Sequence, residues 1–355
     1  MDKAGRGASV GVMRAFDHRA DALHAPGFFL MRGALRANFE VPGRAESLRA
    51  GLARLGLAAE RPTTPDRAAL ERVHAPDYLD WLSTASAAWR ALPGAGPEVV
   101  ANVHPSPEML AQGGRASEGL VGRTGWYTAD TACPVGPGTW NAAVAAAGCA
   151  LAAADVAAGG GDAYALCRPP GHHAYPARAG GHCYVNNSAL AARALRDAGA
   201  ARVAVLDVDS HHGNGTQGVF WECGDVLTVS IHGDPDGYYP WYVGRAHETG
   251  AGAGAGCNLN LPLAAGTDDA GWLAAVAAGL ARVAAFRADA LVVPLGFDAS
   301  EHEPLGYLRV TADGFARAGA MIGAARLPTA LVQEGGYDVE RLGDLLGRFL
   351  TGFGR

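Results

Sequence analysis

The stretch RVAVLDVDSHHGNG, residues 202–215, runs from an unbroken apolar segment straight into a crowd of titratable groups. Arg202–Asp207 is too short for a helix and rich in Val, so it reads as a strand buried on both faces. Four other short apolar runs share this character: Ala163–Cys167, Val226–Ile231, Ala290–Leu295 and Thr329–Gln333. Between and before them lie stretches with helical periodicity, namely Thr139–Ala158, Asn187–Ala198, Asp268–Arg287 and Thr311–Arg326, with Thr139, Thr267 and Thr311 as expected N-caps. Apolar strands alternating with helices predict an α/β fold built on an open, mainly parallel β-sheet with helices on both faces. In such sheets a ligand sits beyond the carboxyl ends of the strands. The polar clusters of this sequence fall at those ends.

In an extended segment side chains at i, i+2 and i+4 share a face, so Asp207, Asp209 and His211 are expected to start on one side. Two carboxylates and an imidazole at a strand end are costly to bury without a partner, and a divalent cation is a good one. The alternative is a polar loop that happens to be rich in acid and His. A second cluster, Arg168-Pro169-Pro170-Gly171-His172-His173, sets two imidazoles behind a stiff turn. Beside a carboxylate one ring stays cationic, while the other, beside a neutral partner, is free to act as a base. A surface His pair is the plainer reading. Asp298, after Ala290–Leu295, reads by itself as an ordinary loop acid or a helix cap. Tyr337 follows two glycines in Glu334-Gly335-Gly336-Tyr337-Asp338 and can turn a phenol donor inward toward a developing oxyanion. Taken together, three metal ligands, a His pair and a phenol suit metal-assisted amide hydrolysis.

The rest of the chain frames this site. Its 355 residues are 49% hydrophobic and 18% charged, which supports one large folded domain and argues against global disorder. A net charge of −6 is not a nucleic-acid footprint. Residues 1–9 read as a flexible Gly-rich leader and 10–355 as the catalytic domain. Pro42–Leu57 and Pro76–Trp89 read as helices, Ala20–Gly27 and Pro62–Arg67 as loops, and 92–138 as a long elaborated loop of the kind that carries function. The six cysteines form no C-x-x-C pair and read as reduced, mostly buried thiols. No signal peptide is evident and no uninterrupted apolar run of about 18 residues occurs, so no membrane span is expected and a cytoplasmic location is the default.

The motifs PPGHHA (169–174), LDVDSHHGNGTQ (206–217), VSIHGDP (229–235), LGFDASEHEPLG (295–306) and QEGGYD (333–338) resemble the histone deacetylase superfamily, with its arginase–deacetylase fold. The segments VHAPDYLDWL (73–82), CPVGPGTWNAA (133–143), HGDPDGYYP (232–240) and HETGAGAGAG (247–256) are similar to those of bacterial acetylpolyamine amidohydrolases. The resemblance implies zinc on Asp209, His211 and Asp298, with His173 as general base and His172 as its electrostatic neighbour. It implies that Asp207 pairs with His172, that Asn214 orients His173, and that Tyr337 serves the transition state. It also implies a structural potassium ion at Asp207, Asp209, His211, Ser230 and Ile231. Gly181, His182 and Tyr239 match the walls of the substrate channel, where many relatives carry Phe or Tyr in place of His182. A small acetylated amine is the implied substrate and a homodimer the implied assembly, with no nucleic-acid or membrane partner. Glu108, Glu118 and Asp130 are candidates for reading a distal ammonium. A protein-lysine deacylase, a natural-product tailoring deacetylase, a two-metal ureohydrolase and a catalytically silent acyl-binding protein are the alternatives.

Overall fold

The computed structural model describes residues 13–354, so the expected leader, 1–9, lies outside the described residues. Among the described residues ten strands form: β1 (Arg14–Phe16), β2 (Phe28–Met31), β3 (Ala34–Ala37), β4 (Ala59–Glu60), β5 (Asp162–Ala165), β6 (Val203–Asp207), β7 (Val226–Gly233), β8 (Asn258–Leu263), β9 (Ala290–Leu295) and β10 (Thr329–Gln333). Eight of them make one sheet in the order β4-β1-β5-β10-β9-β6-β7-β8, while β2 and β3 pair as a hairpin. Every ladder in the large sheet is parallel. The five apolar runs supply the central strands β5, β6, β7, β9 and β10. Each strand places alternate residues on opposite faces. Val203, Val205, Val292 and Val332 meet the helices Thr139–Ala158 and Asn187–Asp197 on one face. Leu206, Val229, Val293 and Leu331 pack with Trp272, Phe315 and Phe349 on the other. Burial on both sides is why these runs read as continuously apolar.

The strand order decides where a ligand fits. From β6 the chain moves outward through β7 and β8, then returns to the other flank of β6 with β9 and β10. The switch point therefore lies between β6 and β9, where diverging connections leave a crevice at the carboxyl ends.

Several local expectations are corrected. The helix caps are Gly138 and Asp268 rather than Thr139 and Thr267, while Thr311 does cap its helix by accepting from the Gly314 N–H. The Thr139 hydroxyl is taken instead by the Gly136 N–H (2.8 Å), and the Asp268 carboxylate reaches the Gly271 N–H more readily. The 92–138 segment is not all loop: it holds the helices Pro107–Ala111 and Leu120–Tyr127, the first capped by Ser106 ahead of Pro107. Ala20–Gly27 likewise overlaps a short 3₁₀ turn, Arg19–Leu23. Thr139–Ala158 and Asp269–Phe286 are long and apolar enough to cross a membrane by length and composition, though no such segment was expected. Isolated polar residues such as Asn141 and Asp155 interrupted the run in sequence. Both helices pack on the sheet.

The N-terminal third ties itself to the sheet through buried charge. Glu40 is fully buried and accepts from Arg44 Nη1 (2.7 Å) on one oxygen and from Arg168 Nη2 (2.9 Å) on the other, with Arg168 Nε (2.9 Å) and His24 Nε2 (3.3 Å) at ion-pair distance. Burial alone would raise the Glu40 carboxyl, but Arg168, His24 and Arg44 outweigh it and hold it well below its ordinary 4.5. Because the folded value is depressed, this stabilisation is full above about pH 4.5 and is lost as the pH falls below it. Glu40→Gln leaves two buried guanidiniums without a counter-charge and should cost about 3–5 kcal/mol in urea melts at neutral pH. The loss should shrink in acid; a melt unchanged at neutral pH would contradict it.

Candidate active site

The crevice at the β6/β9 switch point gathers side chains from four strand ends. Asp209 and His211 follow β6, Asp298 follows β9, His172 and His173 follow β5, and Tyr337 follows β10. Asp209, His211 and Asp298 are buried and offer one ligand atom each within 4.8 Å of one another. His211 Nδ1 lies 3.2 Å from Asp209 Oδ1 and 2.9 Å from Asp298 Oδ2. Two glycines make this convergence possible. A Cβ on Gly296 would stand 2.1 Å from Asp209 Oδ2, and one on Gly335 would stand 2.2 Å from Asp298 Oδ2. The Gly335 N–H also donates to Asp209 Oδ2 (2.8 Å).

The donor set fits a divalent cation. Burial works against charge on His211, yet Asp298 and Asp209 pull its imidazole up to about 9. That strong negative potential is what a dication with oxygen and imidazole ligands satisfies. Asp207 does not join this group, contrary to the shared face expected for 207, 209 and 211. The strand ends at Asp207, the chain beyond it leaves the extended conformation, and the Asp207 carboxylate turns to His172 Nδ1 (2.9 Å).

The two imidazole centroids lie 4.0 Å apart with the rings tilted at 45°, but they live in different fields. Burial would discharge His172; Asp207 and Asp209 overcome it and raise the ring well above its ordinary value. Burial lowers His173 well below the ordinary range, and the cationic neighbours His172 and His211 add to this. His173 Nδ1 meets the neutral Asn214 Oδ1 at 2.6 Å. With Nδ1–H donating there, Nε2 keeps a free lone pair. The pair thus holds one cation and one neutral base.

Tyr337 is buried, and among the described residues its hydroxyl has no hydrogen-bond partner. Burial pushes the phenol well above its ordinary value, so it stays a proton donor. The Arg44 guanidinium lies 4.8 Å from its ring centroid and donates to Gly336 O (2.6 Å) and Glu334 O (2.5 Å). Glu303 accepts from the Tyr337 N–H (3.0 Å), and Glu334 accepts from Gly171 N–H (2.6 Å) and His172 N–H (3.1 Å). The sequence reading missed Arg44, Glu303 and Glu334 in these positioning roles. Glu303 and Glu334 had a local signal only by sitting inside the LGFDASEHEPLG and QEGGYD motifs, and Arg44 had none.

One wall of the approach is the two-residue turn Gly181-His182. Gly180 and Cys183 exchange both N–H···O bonds (3.0 and 2.8 Å), and the two central residues are left-handed, at φ +49° and +66°. A Cβ on Gly181 would strike His173 Cδ2 at 2.4 Å. The His182 ring packs edge-on to Phe29 (5.4 Å) and stands 5.9 Å from the Tyr337 ring. Burial lowers its pKa to about 4, so it is neutral at neutral pH. Opposite, Tyr239 meets the edge of His173 at 4.8 Å. Ser230 lies in register with Asp207 on β7, and Ile231 follows it. Glu108 and Glu118 are exposed on the 92–138 segment, while Asp130 reaches the channel wall.

Comparison with known proteins agrees with this geometry. A family model described as the histone deacetylase domain matches residues 38–353. The chain is 44% identical over 344 residues to the acetylpolyamine amidohydrolase of Burkholderia pseudomallei, covering 96% of this chain and 99% of that one. It is 41% identical over 327 residues to the acetylpolyamine amidohydrolase of Mycoplana ramosa, covering 91% and 94%. The crystal structure of the acetylpolyamine aminohydrolase from Burkholderia pseudomallei superposes with a TM-score of 0.92 at 43% identity, covering 97% and 99%.

Proposed function

Because this chain belongs to the histone deacetylase family and is a hydrolase of amide bonds, we propose that it is a zinc-dependent deacetylase of small cationic acetyl-amines, with acetylpolyamines as the leading substrates. The observation that carries the chemistry is the pairing of a buried Asp209–His211–Asp298 ligand set with two oppositely tuned imidazoles and a free phenol. What supports the substrate class is similarity along nearly the whole chain to proteins named acetylpolyamine amidohydrolases.

Asp209, His211 and Asp298 would hold the zinc, which when bound supplies Lewis acidity to a carbonyl and makes water a stronger acid. His173 Nε2 takes the proton from the attacking water. Tyr337 donates its hydroxyl hydrogen bond to the developing oxyanion, where a placed donor is worth more than in water. His172, kept cationic by Asp207, adds positive charge beside that anion. The protonated His173 then passes its proton to the leaving nitrogen, and acetate and the free amine depart. Ser230 and Ile231, beside Asp207, Asp209 and His211, would hold a structural potassium ion that stiffens the β6 end.

A single assay panel tests the reading: N-acetylputrescine, N-acetylcadaverine, acetylspermidine, an acetyl-lysine peptide and arginine, each with zinc-loaded protein. The small acetyl-amines should give the highest kcat/KM, and arginine should give no urea. Preference for the peptide would move the assignment to a protein deacylase. No turnover of any acetylated compound would remove it.

A further inference from the structure

The Asp130 carboxylate accepts from three donors at the mouth of the site. Its Oδ1 accepts from the Ala132 N–H (2.8 Å), which folds its own turn. Its Oδ2 accepts from the Gly181 N–H (3.0 Å) and from the Tyr239 hydroxyl (2.6 Å). The last two donors stand on opposite walls. Gly181 leads the left-handed turn that carries His182, and Tyr239 lies edge-on to His173 (4.8 Å). Among the described residues, Asp130 is the only partner of the Tyr239 hydroxyl. One carboxylate therefore fastens both walls, and a hydroxyl bond to an ionised oxygen is of the short, strong kind. Burial first and then Asp130 push the Tyr239 phenol well above its ordinary value, in keeping with a firmly held proton.

The two walls so joined pack closely at Gly181. A single methyl on Gly181 would stand 2.4 Å from His173 Cδ2 and 2.8 Å from the Tyr239 hydroxyl. The Tyr239 hydroxyl has no other hydrogen-bond partner among the described residues, and its ring otherwise makes edge contacts with His173 (4.8 Å) and Trp241 (5.2 Å), so loss of the bond to Asp130 loosens this wall. The Gly181-His182 turn would at the same time lose the acceptor for its first N–H.

We infer that Asp130 is a positioning residue that sets the channel width by clamping Gly181 and Tyr239 together, and that it thereby selects acetyl-amines unbranched at the carbon bearing the amide nitrogen. This rests on the proposed deacetylase reading only in naming an acetyl-amine as what passes between the walls. Asp130 acts through Tyr239 and Gly181 and is spoken for by protein donors, so it differs from an acid that reads a distal ammonium.

The test compares N-acetylputrescine with its analogue carrying one methyl on the amide-bearing carbon, so that charge and length are equal. Wild type should prefer the straight compound by roughly 10–200-fold, the range a single methylene commands in a tight pocket. Tyr239→Phe and Asp130→Ala should each cut that preference about tenfold, chiefly through a lower KM for the branched compound, with zinc content unchanged. The double variant should add little, since both changes break the same bond. Asp130→Asn, which keeps one acceptor oxygen, should recover part of the preference. An unchanged preference in Tyr239→Phe, or an equal fall for both compounds in every variant, overturns the clamp. Should Asp130→Ala fail to fold, Tyr239→Phe decides alone. Straight and branched alkyl hydroxamates, titrated against zinc-loaded protein, give the same ratio without turnover. If wild type hydrolyses neither amine, the deacetylase reading falls, and the hydroxamate ratio still upholds or overturns the clamp.

Discussion

An Asp298→Asn chain should lose its zinc and, with it, essentially all turnover of N-acetylputrescine. Asp298 Oδ2 faces His211 Nδ1 at 2.9 Å, while Oδ1 accepts from the Ser210 N–H at 2.8 Å. Asparagine keeps the shape and can keep the bond to Ser210, but it puts a neutral group where an anionic ligand stands. Loss of an outer-shell partner costs roughly 10–100-fold in metal affinity, and loss of a ligand should exceed that. Stability separates loss of a ligand from loss of the fold. Burial and the neighbouring Asp209 carboxylate both push the Asp298 carboxyl above its ordinary value. In chelator, the variant should therefore melt no lower than wild type, since a repelled buried charge has been removed. Metal content by atomic absorption, turnover and a chelator melt form the set of measurements. A variant that retains stoichiometric zinc and near-normal kcat would show that Asp298 is not a ligand.

Tyr337→Phe should lower kcat by about 10²–10³, with KM and zinc content nearly unchanged. The ring is held by Arg44 at 4.8 Å, and its backbone N–H by Glu303 at 3.0 Å. Phenylalanine keeps both contacts, so only the hydroxyl is tested. A donor that acts on the oxyanion, and little on the ground-state carbonyl, appears in kcat rather than KM. Equal falls in kcat and zinc content would point to a metal-site role instead, and a rate near wild type would dismiss the phenol from the chemistry.

Much of this site was legible because it is local. Asp209 and His211 are two residues apart at the end of a strand, and His172 and His173 are adjacent behind Pro169-Pro170-Gly171, so spacing alone brought out two of the clusters. The central strands were legible too, because burial on both faces leaves an unbroken apolar run. The short strands β1 and β4 were not, since two or three residues carry no period. The edge strand β8 was also missed; its NLNLPL mixes polar Asn258 and Asn260 with apolar residues, so it lacks the continuous run that marked the central strands.

What the sequence by itself determined was an α/β chain with its polar clusters at strand ends, and the residue types able to hold a metal and move a proton. What only the tertiary structure decided was which of them meet. Asp298 stands 89 residues after Asp209 and reads by spacing as an ordinary loop acid; the resemblance draws it to the metal set, and the pairing of β9 beside β6 is what brings it there. Asp207, grouped with Asp209 by spacing but with His172 by the resemblance, pairs with His172 (2.9 Å). Arg44 reached Tyr337 across 293 residues, and Asp130 joined two walls from a third segment. The reason is physical: strand and helix periods are set by neighbours in the chain, whereas a carboxylate's pKa and partners are set by whichever charges and donors the strand order carries within a few ångströms.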